Sequence, residues 1–102
     1  MNLFKKTINI PTLRLSGIIG QAGIGRSGLT IHTLNKLIDK LFSDKKSPVV
    51  AIVINSPGGS PTQSSLIAEK IIEKSNEKNK KVIAFVEDVA ASGGYWLACS
   101  AD

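Results

Sequence analysis

An α/β fold with a mainly parallel sheet is predicted by three observations. Two short β-branched apolar runs, residues 49–54 and 82–86, read as strands buried on both faces. Helical-period stretches precede and separate them. A glycine-rich segment follows each run, the first being Ile54-Asn55-Ser56-Pro57-Gly58-Gly59-Ser60 and the second Ala90-Ala91-Ser92-Gly93-Gly94-Tyr95. The resulting order of strand, helix, strand, helix, strand, helix belongs to parallel sheets with right-handed crossovers.

The elements follow in order. Ile8, Ile10, Leu13, Leu15, Ile18 and Ile19 alternate loosely around Pro11, the pattern of an edge strand or a bent hairpin arm. Gly17, Gly20, Gly23, Gly25 and Gly28 crowd the next stretch, which reads as a flexible surface loop. Their spacing lacks the order and the strand–helix frame of a dinucleotide fingerprint. Ile31, Leu34, Leu37, Ile38, Leu41 and Phe42 mark one face of a helix capped by Thr30, and the polar residues 43–48 end it. After the strand at 49–54, Leu66, Ile67, Ile71 and Ile72 give a second helix its apolar stripe, closed by polar residues 75–81. Residues 94–100, beyond the strand at 82–86, read as the opening of a third helix.

Composition narrows the function. At 102 residues and 42% hydrophobic content the chain is a globular domain at most. Cys99 is the single cysteine, which excludes a disulfide framework and multi-cysteine metal sites; its helical spacing from Ser92 suits packing. The net charge of +5 is spread along the chain. Between residues 69 and 81 the lysines alternate with Glu69, Glu73 and Glu77, so that Lys70–Glu73 and Lys74–Glu77 pairs describe a solvated helix face. No aromatic residue is interleaved with a basic cluster, so nucleic acid is not an expected partner. The segment after Lys5 and Lys6 alternates apolar and polar residues around Pro11 without a continuous apolar core, so a signal peptide is not expected, and no run approaches the ~18 apolar residues of a membrane span. A cytoplasmic location is expected, with membrane attachment only through other segments.

In parallel sheets ligands gather at the carboxyl ends of the strands, where both glycine-rich segments fall. Ser92 is placed at a strand-to-helix turn, where a hydroxyl can project into that crevice. Unsubstituted backbone at Gly58, Gly59 and Gly93 offers N–H groups to an oxyanion, and Gly94 lets a substrate chain approach. Two tight turns before helices would show the same glycines, so spacing alone leaves both readings open.

The two segments together, the second extended through Trp96-Leu97-Ala98-Cys99, resemble the signal peptide peptidase A and SohB family of serine peptidases. The phrase Leu13-Arg14-Leu15-Ser16-Gly17-Ile18-Ile19-Gly20 is similar to that family's opening strand. The resemblance runs from about Leu13 onward. It implies a ClpP/crotonase-type layered fold, cut off as the nucleophile's helix begins. Residues 1–102 would form one partial peptidase domain, with 1–12 an N-terminal segment and 13–102 the family region. It further implies a Ser–Lys dyad acting on peptide or protein substrates, with no cofactor and no metal.

Carried over by position, Ser92 is the nucleophile, Gly58, Gly59 and Gly93 form the oxyanion hole, and Ser60, Pro61 and Gly94 lie along the bound substrate. No lysine here matches the family's base, so the chain is expected to be nearly inactive alone and to work as a homo-oligomer or with a complementing chain. Three alternatives remain open. One is a non-catalytic product that binds peptides or a partner subunit. The second is a ClpP-like peptidase fragment, although His32 lies upstream of the serine on a helix face. The third, a crotonase-like acyl-CoA site, does not call for the Ala91-Ser92-Gly93-Gly94 phrase. Glu87 and Asp88 are read as solvated turn residues.

Overall fold

The computed structural model describes residues 9–23, 26–90, 94 and 100–102. Seven elements run in the order β1 (Thr12–Ser16), β2 (Gln21–Gly23), β3 (Arg26–Ser27), α1 (Ile31–Leu41), β4 (Val49–Ser56), α2 (Pro61–Lys78) and β5 (Lys81–Ala90). Strands β1, β4 and β5 form a parallel sheet in that spatial order. The predicted parallel α/β architecture is the one observed.

Strand β4 is central, and its burial on both faces at Val50, Ala51 and Ile52 follows from neighbours on each side. Pro11 lies just before β1, where its carbonyl accepts the Ala51 N–H at 2.9 Å, and β1 is the edge strand that the proline predicts. In-register partners share a face in a parallel pair, so Leu15 and Ile54 stand together, as do Val50 and Val82. Against them pack Leu34, Ile38 and Leu41 of α1 and Ile67, Ala68 and Ile71 of α2. Each such fully buried aliphatic side chain contributes about 1.5–3 kcal/mol of transfer free energy.

Several expectations need correction. The glycine-rich stretch after β1 is not simply a loop, because β2 and β3 pair antiparallel within it. Its ends are bonded as well: Gly28 N–H donates to Gly20 O at 2.9 Å, and Leu29 N–H donates to Ile18 O at 2.8 Å. The second helix buries Ser64, Ile67, Ala68 and Ile71, while Leu66 and Ile72 are exposed. Small side chains at Ser64 and Ala68 complete the i, i+3, i+4, i+7 face that apolar residues alone do not trace. That helix also runs on through the polar residues to Lys78, where Asn79 caps it in the left-handed region at φ 52°.

Strand β5 is not buried on both faces. Ile83 and Phe85, which alternate with buried Val82, are 42% and 55% exposed. Nor are Glu87 and Asp88 turn residues. They belong to β5, at a register irregularity where Ile54 pairs Val86 but Ser56 pairs Ala90. Glu87 accepts a hydrogen bond from Arg14 across the sheet. Of residues 94–100, Gly94 is helical and Ser100 lies in a turn, while 95–99 fall outside the described residues. Beyond them the chain returns to β5, with Asp102 N–H donating to Val82 O at 2.9 Å and Val82 N–H donating to the Asp102 carboxylate at 2.6 Å.

Candidate active site

The loop leaving β4 is built on its glycines. Gly58 and Gly59 have φ of 101° and 146°, a region that L side chains rarely adopt. Ile19, which follows β1, clamps the loop from one side. Its N–H donates to Gly58 O at 2.9 Å, and its carbonyl accepts the Ser60 N–H at 2.8 Å. A Cβ on Gly59 would stand 2.0 Å from Ile19 O, so no side chain fits there.

The two predicted donors on this loop are used differently. Gly58 N–H donates to Ser56 Oγ at 3.1 Å, in a buried setting. Gly59 has no hydrogen-bond partner among the described residues. The parallel bridge to Ile19 also explains its direction. A residue flanked by both bonds of such a bridge turns its own N–H and C=O to the opposite side.

Ser60 and Pro61 open α2 as N-cap and first helical residue, which matches the preference for proline at that position. Ser60 Oγ accepts from Gln63 N–H at 3.1 Å. Ser60 through Gln63 has the spacing of a capping box, yet the Gln63 side chain does not return to Ser60 N–H, which is already bonded to Ile19. Gln63 Oε1 instead accepts the Ile31 N–H at 2.8 Å, tying the start of α1 to the start of α2. Sequence reasoning missed this cross-helix cap.

The second glycine-rich segment meets the first at Ser56. Ala90 pairs with Ser56 across the sheet, and a Cβ on Gly94 would lie 2.6 Å from Ser56 O and 3.3 Å from Ser56 Cβ. Ala90 and Gly94 flank the predicted nucleophile Ser92 and donor Gly93 in sequence, and both of these lie outside the described residues, as does Cys99. The two extra β5 residues at the irregularity, four steps from Val86 to Ala90 against two from Ile54 to Ser56, form a bulge beside the site.

The charged groups with defined partners lie elsewhere. Lys80 is buried at the amino-terminal end of β5, the end of the sheet opposite the glycine loop. Its ammonium donates to Ser47 O at 2.6 Å and also to Asp44 O. Lys70 and Lys74 reach Asp39 at 2.8 and 3.4 Å, so Lys70 crosses to α1 instead of pairing with Glu73. Hydrogen bonding from Lys70, helped by Lys74, holds the Asp39 carboxyl below its ordinary value. Hydrogen bonding to Glu77, 3.3 Å away, and then to Asp39 raises Lys74. His32 is exposed on α1. An open groove of about 330 Å³ lined by Pro11, Leu13, Leu37 and Lys40 also lies at the far end of β1 from this loop. Among the described residues no cluster of His, Cys, Asp or Glu could hold a metal ion, and no helix is long and apolar enough to cross a membrane.

Comparison with known proteins agrees with this geometry. The fold is that of ClpP: a mutant ClpP1 from Listeria monocytogenes superposes with a TM-score of 0.69 over 90% of this chain and 47% of its own, at 22% identity. A model described as Peptidase family S49 matches residues 74–102. Protease 4 of Haemophilus influenzae is 36% identical over 70 residues, which are 69% of this chain and 11% of that protein. Serine protease SPPA, chloroplastic, of Arabidopsis thaliana is 36% identical across 89% of this chain and 16% of its own length. A protein named Na(+)/H(+) antiporter NhaA from Brucella melitensis is 49% identical over 94 residues, 91% of this chain and 13% of that protein. The chain thus spans between 11% and 16% of the length of these relatives.

The ClpP-like fold and the Peptidase family S49 match together support a serine peptidase-type domain. Within that class the sequence is SppA-like, similar to peptidase family S49 over residues 74–102 and to Protease 4 and SPPA over most of its own length.

Proposed function

We propose that residues 13–102 are part of a serine endopeptidase domain of the signal peptide peptidase A/SohB type, hydrolysing peptide bonds by nucleophilic attack from Ser92. The observation that carries this reading is the contact between the two glycine-rich segments, Gly94 packed on the Ser56 carbonyl beside the Gly58–Gly59 loop. It joins the stretch containing the serine to a loop offering a backbone donor.

In this mechanism Ser92 Oγ forms a bond to the substrate carbonyl carbon as its proton passes to a lysine amine. The oxyanion takes hydrogen bonds from Gly59 and Gly93, each donor of this kind contributing roughly 3–4 kcal/mol of transition-state stabilisation. The C–N bond then breaks and the lysine returns the proton to the leaving amine. Water adds to the acyl-enzyme, the lysine takes its proton, and Ser92 is released with its hydroxyl restored. Ser60, Pro61 and Gly94 border the path of the substrate.

No lysine of this chain is assigned as the base. Lys80 is occupied at the other end of the sheet, and Lys70 and Lys74 are held by Asp39. A serine without a base is a weak nucleophile, so the chain alone has little peptidase activity. The base in this reading is supplied from outside residues 13–102, and the half-exposed Ile83 and Phe85 leave room for a further covering layer.

The test is labelling with a fluorophosphonate, in which Ser92 Oγ displaces fluoride from phosphorus. Slow labelling that an added alkylamine base accelerates, and that Ser92→Ala abolishes, supports the reading. Labelling that survives Ser92→Ala removes Ser92 as the nucleophile.

A further inference from the structure

We propose that Ser56 is the positioning residue of the oxyanion site, selecting Gly59 over Gly58 as the donor of its loop. This rests on the serine peptidase reading. Three observations carry it. Ser56 is fully buried, and its Oγ accepts the Gly58 N–H at 3.1 Å. That bond removes Gly58 as a donor, although the sequence offers both glycines equally. The Gly58 carbonyl is bonded to Ile19 N–H at 2.9 Å, and because that carbonyl shares a planar trans peptide unit with the Gly59 N–H, the same bond holds the Gly59 N–H pointing away from Ile19.

Gly59 is left as the complementary case. The bridge to Ile19 turns its N–H away from β1, and no described residue takes it up. The same Ser56 contacts the second segment, since its carbonyl and Cβ are the atoms nearest to Gly94. One residue therefore fixes the loop donor through its side chain and meets Gly94 through its backbone. The hydroxyl acts through Gly58 and touches no reacting atom.

The proposal is tested on the full chain with a peptide boronic acid. Ser92 Oγ adds to trigonal boron, its proton leaves to buffer, and a tetrahedral boronate anion remains whose oxygen occupies the oxyanion position. Amide NMR of the wild-type adduct is expected to show the Gly59 N–H shifted downfield and the Gly58 N–H unmoved. Ser56→Ala, which removes one oxygen and adds no bulk, should unprotect Gly58 in hydrogen exchange and weaken the adduct by about tenfold or more. Full loss of a donor would reach roughly 10²–10³. Ser56→Thr, which keeps Oγ, should restore Gly58 protection and much of the affinity.

A wild-type adduct in which Gly58 moves and Gly59 does not overturns the proposal while leaving the serine reading intact. So does a folded Ser56→Ala chain with unchanged affinity and an unchanged Gly59 shift. A wild-type chain that forms no adduct at Ser92 even with an alkylamine base present overturns the serine reading and this proposal with it.

Discussion

Gly94 lies so close to Ser56 that a Cβ on the glycine would stand 2.6 Å from the Ser56 carbonyl oxygen, well inside van der Waals contact. The atom it would meet is backbone of β4, which cannot swing aside as a side-chain tip would. Gly94→Ala should therefore push the two glycine-rich segments apart. The expected result is a loss of about 1–3 kcal/mol in denaturant unfolding. Fluorophosphonate labelling of Ser92 should slow more than the population of unfolded chain explains.

Gly59 and Gly17 separate two costs. Both have positive φ, but a Cβ on Gly17 meets nothing within 4 Å, whereas on Gly59 it would lie 2.0 Å from Ile19 O. Gly17→Ala should cost about 1–2 kcal/mol from backbone strain alone. Gly59→Ala should cost clearly more and also slow labelling of Ser92, because the loop must leave Ile19 to accept a side chain. Paired thermal melts of the two variants check the ordering.

Lys80 tests what the buried lysine does. Lys80→Met should leave the Ser47 and Asp44 carbonyls without their donor and cost about 1–3 kcal/mol. Labelling at Ser92, measured where the variant is folded, should stay at the wild-type rate because Lys80 lies at the opposite end of the sheet. A large drop in that rate would give Lys80 a role in the site.

The Asp39 cluster gives stability a pH dependence with a defined sign. Hydrogen bonding from Lys70 lowers the Asp39 carboxyl from 3.8, so its contribution is present above that value and fades as pH falls through the lower folded value. Lys74 is raised from 10.5, so its contribution is full below that value and fades as pH climbs through the higher folded value. The pairs are solvated and the effects small. In urea titrations across pH, Asp39→Asn should be less stable than wild type at neutral pH, and the gap should close only below pH 3.8.

Much of the fold was legible because its signals are local. The β-branched run at 49–54 marks the central strand, Thr30 caps α1 as its position suggests, and Pro11 marks the start of an edge strand. What escaped depends on partners distant in sequence. Gln63 looks like half of a capping box, but Ile19 takes the N–H it would have bonded, and it caps α1 instead. The run at 82–86 is apolar on both faces, yet burial of Ile83 and Phe85 requires a layer that the described residues do not supply. At the candidate site, the glycines mark a tight loop after β4, while the difference between the Gly58 N–H, taken up by Ser56, and the Gly59 N–H, turned away from Ile19, is set by partners the sequence does not show.

The central claim is that the two glycine-rich segments form one nucleophilic site around Ser92. The most direct measurement is peptide mapping by mass spectrometry after fluorophosphonate treatment with an alkylamine base present. The account predicts a single adduct on Ser92, absent in Ser92→Ala and slowed in Gly59→Ala. An adduct on another residue, or one that forms equally fast in Ser92→Ala, would contradict it.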